Sequence, residues 1–202
     1  MGGRAGPQIF PAWGPQSPGL KGESMEIGVV FAGFGGQGIL LAGKVLARVA
    51  MEKGFEVTWL PSYGPEMRGG TANCTVVIAD EPVGSPIVDS PQVLVAMNGP
   101  SLERFGPKVA KGGTIVVNTS LVSNVAERPD VRLIRLPMNE IAQELGEPRC
   151  ANMVGLGAVI KALGLFPLDA VVSAMEEELG ARGREKLVAI NKEALLRGYL
   201  AA

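Results

Sequence analysis

The sequence predicts an α/β fold, an open and mostly parallel sheet with flanking helices and a helical C-terminal third. Three observations carry this reading. An apolar run at residues 27–32 enters a glycine cluster, and an amphipathic helical pattern leaves it. Within that cluster Gly33, Gly35 and Gly38 fit the G-x-G-x-x-G spacing that opens a Rossmann-like βαβ unit. Further on, short β-branched segments alternate with helical ones to residue 136, after which the period is helical almost throughout.

The elements follow in order. Residues 1–24, rich in Gly and Pro and without helical or strand period, read as a flexible leader or non-native extension, with Met25 a natural start and residues 25–202 the domain. After the first strand, Ile39, Leu40, Ala42, Val45, Leu46 and Val49 recur at helical spacing until Gly54 stops them. Residues 55–60 (FEVTWL) predict a second strand ended by Pro61, and a polar loop follows over residues 62–70. Residues 71–79 are a β-branched strand, and residues 83–88 a short return strand interrupted by Gly84 and Pro86. Next come a strand at 93–97 and a helix reaching Val109, capped by Asn98 or Ser101. Strands are predicted at 114–118 and 131–136. Helices are predicted near 139–145, 152–163, 167–179 and 184–200, with Asn152 capping the second of these.

Composition narrows the chemistry. A chain of 202 residues, 47% hydrophobic and 19% charged, is one ordinary domain with a substantial core. Only 5% of residues are aromatic, so that core is aliphatic. A formal net charge of −1 gives no basic face for nucleic acid. Such low charge leaves little colloidal repulsion and suits a chain that buries a face against another subunit. No histidine is present, which excludes imidazole acid–base chemistry and His-ligated metal on this chain. Cys74 and Cys150 stand far apart, so neither zinc nor an iron–sulfur cluster is expected here; two lone thiols fit a reducing cytoplasm. No stretch approaches the ~18 apolar residues of a membrane span.

The glycine loop allows two uses. Glycines permit positive φ, turn backbone N–H groups toward an anion and let helix and strand pack closely. A dinucleotide reader adds an acidic residue at the tip of the second strand. Here that strand ends Thr58-Trp59-Leu60-Pro61, and Glu56 lies within it. A stand-alone nucleotide-binding oxidoreductase therefore becomes the minority reading. Close packing and an anion site at Gly33, Gly35, Gly36, Gln37 and Gly38 both remain open.

The second loop carries more information. Ser62, Tyr63, Glu66, Arg68, Gly69, Gly70 and Thr71 form a shaped polar surface that core packing would not demand, and Glu66 and Arg68 are close enough in the chain to pair. FAGFGGQGI followed by PSYGPEMRGGTANCTVVI resembles the gamma subunit of the 2-oxoacid:ferredoxin oxidoreductases, in its 2-oxoglutarate or 2-oxoisovalerate type. The segments GSPIV, VLVAMN, NTSLV and ANMVGLG are in keeping with it, and the likeness covers nearly all of the chain beyond the leader.

The resemblance implies one part of an enzyme complex of anaerobic metabolism. Such complexes oxidatively decarboxylate a 2-oxoacid, here expected to be 2-oxoglutarate, transfer the acyl group to coenzyme A and pass electrons to ferredoxin. Alpha and beta chains hold thiamine diphosphate, and beta or a ferredoxin-like delta chain holds the iron–sulfur clusters. The present chain is then expected to carry no cofactor of its own and to be inactive alone, and a homodimer of the isolated chain is left open. By the same resemblance the 62–71 loop meets the alpha chain first and coenzyme A second. The glycine loop, Lys44 and Arg68 are the groups that could reach phosphates, although Lys44 also reads as a solvated helix residue. A purely structural scaffold subunit is the other alternative.

Overall fold

A computed structural model describes residues 24–64, 70–181 and 183–202. Six strands form one sheet in the order β2-β3-β1-β4-β5-β6. They are β1 (Glu26–Phe34), β2 (Glu56–Tyr63), β3 (Thr71–Ala79), β4 (Val93–Ala96), β5 (Thr114–Asn118) and β6 (Arg132–Leu136). β1, β4, β5 and β6 run parallel to one another, with Phe31 opposite Val95 and Val95 opposite Val116. β3 pairs antiparallel with β1 on one side and with β2 on the other. The sheet is therefore mostly parallel, with an antiparallel strand let into it.

That insertion changes the first unit. Helix α1 (Ile39–Glu52) leads from β1 to β2, but β3 lies between the two strands, so this is a split βαβ unit. β2 is the sheet edge, which explains a difference from the sequence reading: the strand does not end at Pro61 but runs through it to Tyr63. An edge strand tolerates a residue with no N–H, and the missing donor blunts strand addition there. Ser62 and Tyr63 thus belong to β2, and Thr71 opens β3. The return strand expected at residues 83–88 does not form. That segment is irregular, Ile87 N–H bonds the Ser85 hydroxyl, and Val88 packs over Gly28, where a Cβ would stand 2.6 Å from Val88 Cγ1.

The helices are α2 (Gly99–Phe105), α3 (Met138–Glu144), α4 (Ala151–Leu163), α5 (Leu168–Gly180) and α6 (Val188–Ala201). Asn98 caps α2, its Oδ1 accepting from Ser101 N–H at 2.9 Å; the helix stops at Phe105, with a 3₁₀ turn carrying the chain on to Lys108. The larger core lies on one face of the sheet, where Val29, Phe31, Val76 and Val95 meet α1, α4 and α5. A smaller core on the other face joins Val30, Ala32, Leu94 and Val117 to α2 through Leu102 and Phe105. Residues 151–160 are all buried because α4 is wedged between the sheet and α6. Among the described residues no helix is long and apolar enough to cross a membrane.

Candidate functional site

The two loops singled out in the sequence emerge side by side. Phe34, at the end of β1, pairs with Thr71, at the start of β3, and Gly35 N–H donates to the Gly70 carbonyl at 2.8 Å. Together they border a cleft of about 600 Å³. Gly35, Gly36, Gly38 and Leu40 form one wall, Tyr63 and Ala72 a second, and Arg149, Asn152, Arg184 and Asn191 of the C-terminal third complete it. Glu66, Arg68 and Gly69 lie outside the described residues. A more apolar hollow of about 380 Å³ lies at the opposite end of the parallel strands, around Ile27, Val93 and Leu163. Open α/β sheets place ligands beyond the carboxyl ends of their strands, which favours the glycine-loop cleft.

The glycine loop is built both for packing and for an anion. A Cβ on Gly33 would stand 2.9 Å from Met97 Cβ, so this glycine is fixed by packing, and it does not line the cleft. Gly36 and Gly38 have φ of 99° and 72°, the left-handed region. Gln37 is turned inward: its Oε1 accepts from Phe34 N–H at 2.6 Å and lies 3.4 Å from Asn98 Nδ2. It shapes the loop from within. α1 begins at Gly38 with no side-chain cap and no acidic residue in its first turn. Among the described residues nothing accepts from the N–H groups of Gly36, Ile39 or Leu40. An uncapped helix start with free N–H groups carries partial positive charge.

Two guanidiniums join it. Arg149 is held by Glu147 in a two-pronged pair, Nε–Oε1 and Nη2–Oε2 both 2.7 Å. That hydrogen bonding, chiefly from the Arg149 side chain, draws the Glu147 carboxyl down to about 2. Arg184 is exposed and makes no ion pair among the described residues. Cys150 also lines the cleft, but burial, reinforced by Glu147, pushes its thiol up to about 11. Cys74 is pushed up to about 12 by burial, so neither cysteine is a nucleophile at neutral pH.

Several sequence readings change here. Asn152 does not cap a helix; it lies inside α4 and sends its Nδ2 to the Gly38 carbonyl at 3.0 Å. Lys44 is no phosphate contact, because its Nζ sits 2.8 Å from Glu178 Oε2 on the α5 side of α1. Asn118 is fully buried and satisfied, bonding Met97 O, Asn139 Oδ1 and the N–H groups of Ser120 and Met138. Glu56 opens β2 at the end remote from the glycine loop, level with Glu26 through Ala79. With β3 interposed, the ribose-binding acid of a dinucleotide fold has no place to stand. Arg149 and Arg184 escaped the sequence reading, since no motif marks either one.

Residues 28–201 match the family described as Pyruvate ferredoxin/flavodoxin oxidoreductase. The chain is 43% identical over 176 residues to the ketoisovalerate oxidoreductase subunit VorA of Methanothermobacter marburgensis, a match that takes in 87% of this chain and 36% of that protein. It thus spans about a third of the length of that relative. Its fold is similar to the gamma subunit of the keto/oxoacid ferredoxin oxidoreductase of Geobacter sulfurreducens, with a TM-score of 0.74 and 27% identity, covering 87% of this chain and 98% of the other. It is also similar to the 2-oxoglutarate:ferredoxin oxidoreductase of Magnetococcus marinus, a structure with 2-oxoglutarate, coenzyme A and succinyl-CoA bound. There the TM-score is 0.77 and the identity 26%, over 89% of this chain and 31% of the other.

Proposed function

We propose that this chain, a member of the pyruvate ferredoxin/flavodoxin oxidoreductase family, serves as a gamma subunit whose cleft holds a phosphate-bearing part of coenzyme A in the assembled enzyme. The observation that carries the proposal is the convergence of two electropositive features on one cavity. These are the N–H groups at the start of α1, which follows the left-handed Gly36 and Gly38, and Arg184, which makes no ion pair among the described residues. Phosphate is the natural occupant of such a helix start. Arg184 adds a planar donor suited to phosphate oxygens. Among the described residues of the cleft no side chain is placed as a nucleophile or a general base, which supports a role in binding and orienting the acyl acceptor.

The chemistry of decarboxylation and electron transfer belongs, on this reading, to partner chains that carry thiamine diphosphate and iron–sulfur clusters. The present chain is inactive alone and works in the cytoplasm with alpha and beta chains, with or without a delta chain, and with ferredoxin. Ser62, Tyr63, Gly70 and Thr71, together with Glu66, Arg68 and Gly69, form its contact with the alpha chain. Tyr63 is 54% exposed at the hairpin end, which supports that assignment. The substrate is a 2-oxoacid. A 2-oxoisovalerate oxidoreductase relative and a 2-oxoglutarate enzyme of the same fold make those two acids the first to test.

The test begins with affinity purification of the tagged chain from its host without oxygen, followed by coenzyme A-dependent dye reduction with both acids. Co-purifying thiamine diphosphate and iron–sulfur partners, with activity on one acid, supports the assignment. In that complex Arg184→Ala should raise the KM for coenzyme A about tenfold, the worth of one charge-assisted contact. An unchanged KM with poorer assembly would favour the scaffold reading.

A further inference from the structure

Asn152 carries an amide that the packing of the fold does not need. It sits in the first turn of α4, 3% exposed, and donates Nδ2–H to the Gly38 carbonyl at 3.0 Å. That oxygen already accepts from Leu41 and Ala42 N–H, each at 3.1 Å. The bond from Asn152 is thus a third contact to a group that two others satisfy. Its own Oδ1 is buried with no partner among the described residues. The reverse orientation of the amide would set Oδ1 against the Gly38 oxygen, so the assignment is fixed by chemistry. An apolar side chain of the same shape would remove an unpaired acceptor and orphan no backbone group. A polar group kept at such a cost belongs to a site, and Asn152 lines the cleft.

We infer that Asn152 is a positioning residue for the glycine loop. From α4, 114 residues along the chain, it reaches Gly38 and leaves room there for glycine alone. It bonds the carbonyl, and its Nδ2 occupies the space 2.5 Å from where a Gly38 Cβ would be. That bond fixes the peptide after Gly38, which stands at φ 72° at the start of α1, beside Gly36, Ile39 and Leu40 on the cleft wall. The C-terminal helical layer sets the loop's order through this one side chain. The consequence for coenzyme A rests on the cleft reading above; the consequence for loop order does not.

The experiment compares Asn152→Leu, Asn152→Ala and Arg184→Ala in the assembled enzyme. Amide hydrogen exchange is followed over residues 35–41 and residues 153–163, together with the thermal midpoint and the KM values for coenzyme A and the 2-oxoacid. Both Asn152 variants should speed exchange in the loop about fivefold or more while α4 stays protected and the midpoint holds. The KM for coenzyme A should rise severalfold and that for the 2-oxoacid stay within about twofold. Unchanged loop exchange overturns the inference, as does a fallen midpoint with protection lost throughout α4. A loosened loop with no change in the KM for coenzyme A in any of the three variants would keep the positioning role and sink the cleft reading. A raised KM in Arg184→Ala beside an unmoved loop in the Asn152 variants would do the opposite.

Discussion

Gly198 of α6 lies so close to Val154 of α4 that a Cβ on Gly198 would stand 1.9 Å from the Val154 carbonyl oxygen. The contact is mirrored one turn away, where a Cβ on Gly157 would be 2.1 Å from the Leu195 carbonyl oxygen. Both neighbours are backbone, so no rotamer change can make room. Gly198→Ala should destabilise the protein by about 3 kcal/mol, the upper end for overpacking a core. That outweighs the roughly 1 kcal/mol that alanine gains over glycine in a helix. Gly180→Ala, with nothing within 4 Å, is the control and should leave the urea midpoint unchanged or raise it. Equal midpoints for Gly198→Ala and the parent would refute the close crossing.

The sequence makes the helices of the C-terminal third and the parallel strands legible because each is a local period of apolar residues. It does not disclose that β3 enters between β1 and β2. A strand-helix-strand sequence reads the same whether its two strands touch or are split by a third, and only pairings such as Phe31 with Cys74 decide. Residues 83–88 mislead in the same way: Val88 covers Gly28, Ile87 is exposed, and the segment forms no ladder. Gly36 and Gly38 are legible because positive φ selects glycine wherever it occurs. Tyr63 is legible as part of the polar loop, but the C-terminal wall is not. Arg149 and Arg184 arrive from segments more than 100 residues beyond the glycine loop with no short-range mark, and Asn152, marked only as a cap, reaches Gly38 by the same tertiary packing.

Glu178 of α5 offers a test by pH. It is 4% exposed, with Oε1 3.1 Å from Arg48 Nη1 and Oε2 2.8 Å from Lys44 Nζ, which pairs by charge but lies outside hydrogen-bond directions. Burial works against its ionised form, but Lys44 and Arg48 outweigh it and hold the carboxyl below its ordinary value. A folded pKa below the unfolded one gives stability that is present above the unfolded value, about 4.3, and is lost as pH falls through the folded value. Glu178→Gln should therefore cost about 1–3 kcal/mol at pH 7, the worth of hydrogen bonds to charged groups. The deficit should shrink as pH falls below the unfolded value of about 4.3 and on through the lower folded one. Denaturant titrations at pH 7 and pH 3 measure it; an equal deficit at both would assign the loss to packing instead.

Charge at the cleft mouth can be moved one unit at a time. Glu147 is held near 2 by Arg149, so the pair stays ionised and closed across pH 5–8 and contributes no net charge. Arg149→Ala would leave an unpaired carboxylate on the wall, and Glu147→Gln would release a guanidinium there. If the cleft takes a phosphate, the KM for coenzyme A should rise in the first variant and fall in the second, each by about three- to tenfold at low salt. The double variant Glu147→Gln/Arg149→Ala restores the parent's charge and should return close to its KM. All differences should narrow as ionic strength rises toward about 0.5 M, where charges are screened over a few ångströms. Steady-state kinetics of the assembled enzyme at two salt concentrations decides the matter. Two single variants that shift KM in the same direction would show that shape, and not charge, governs the cleft.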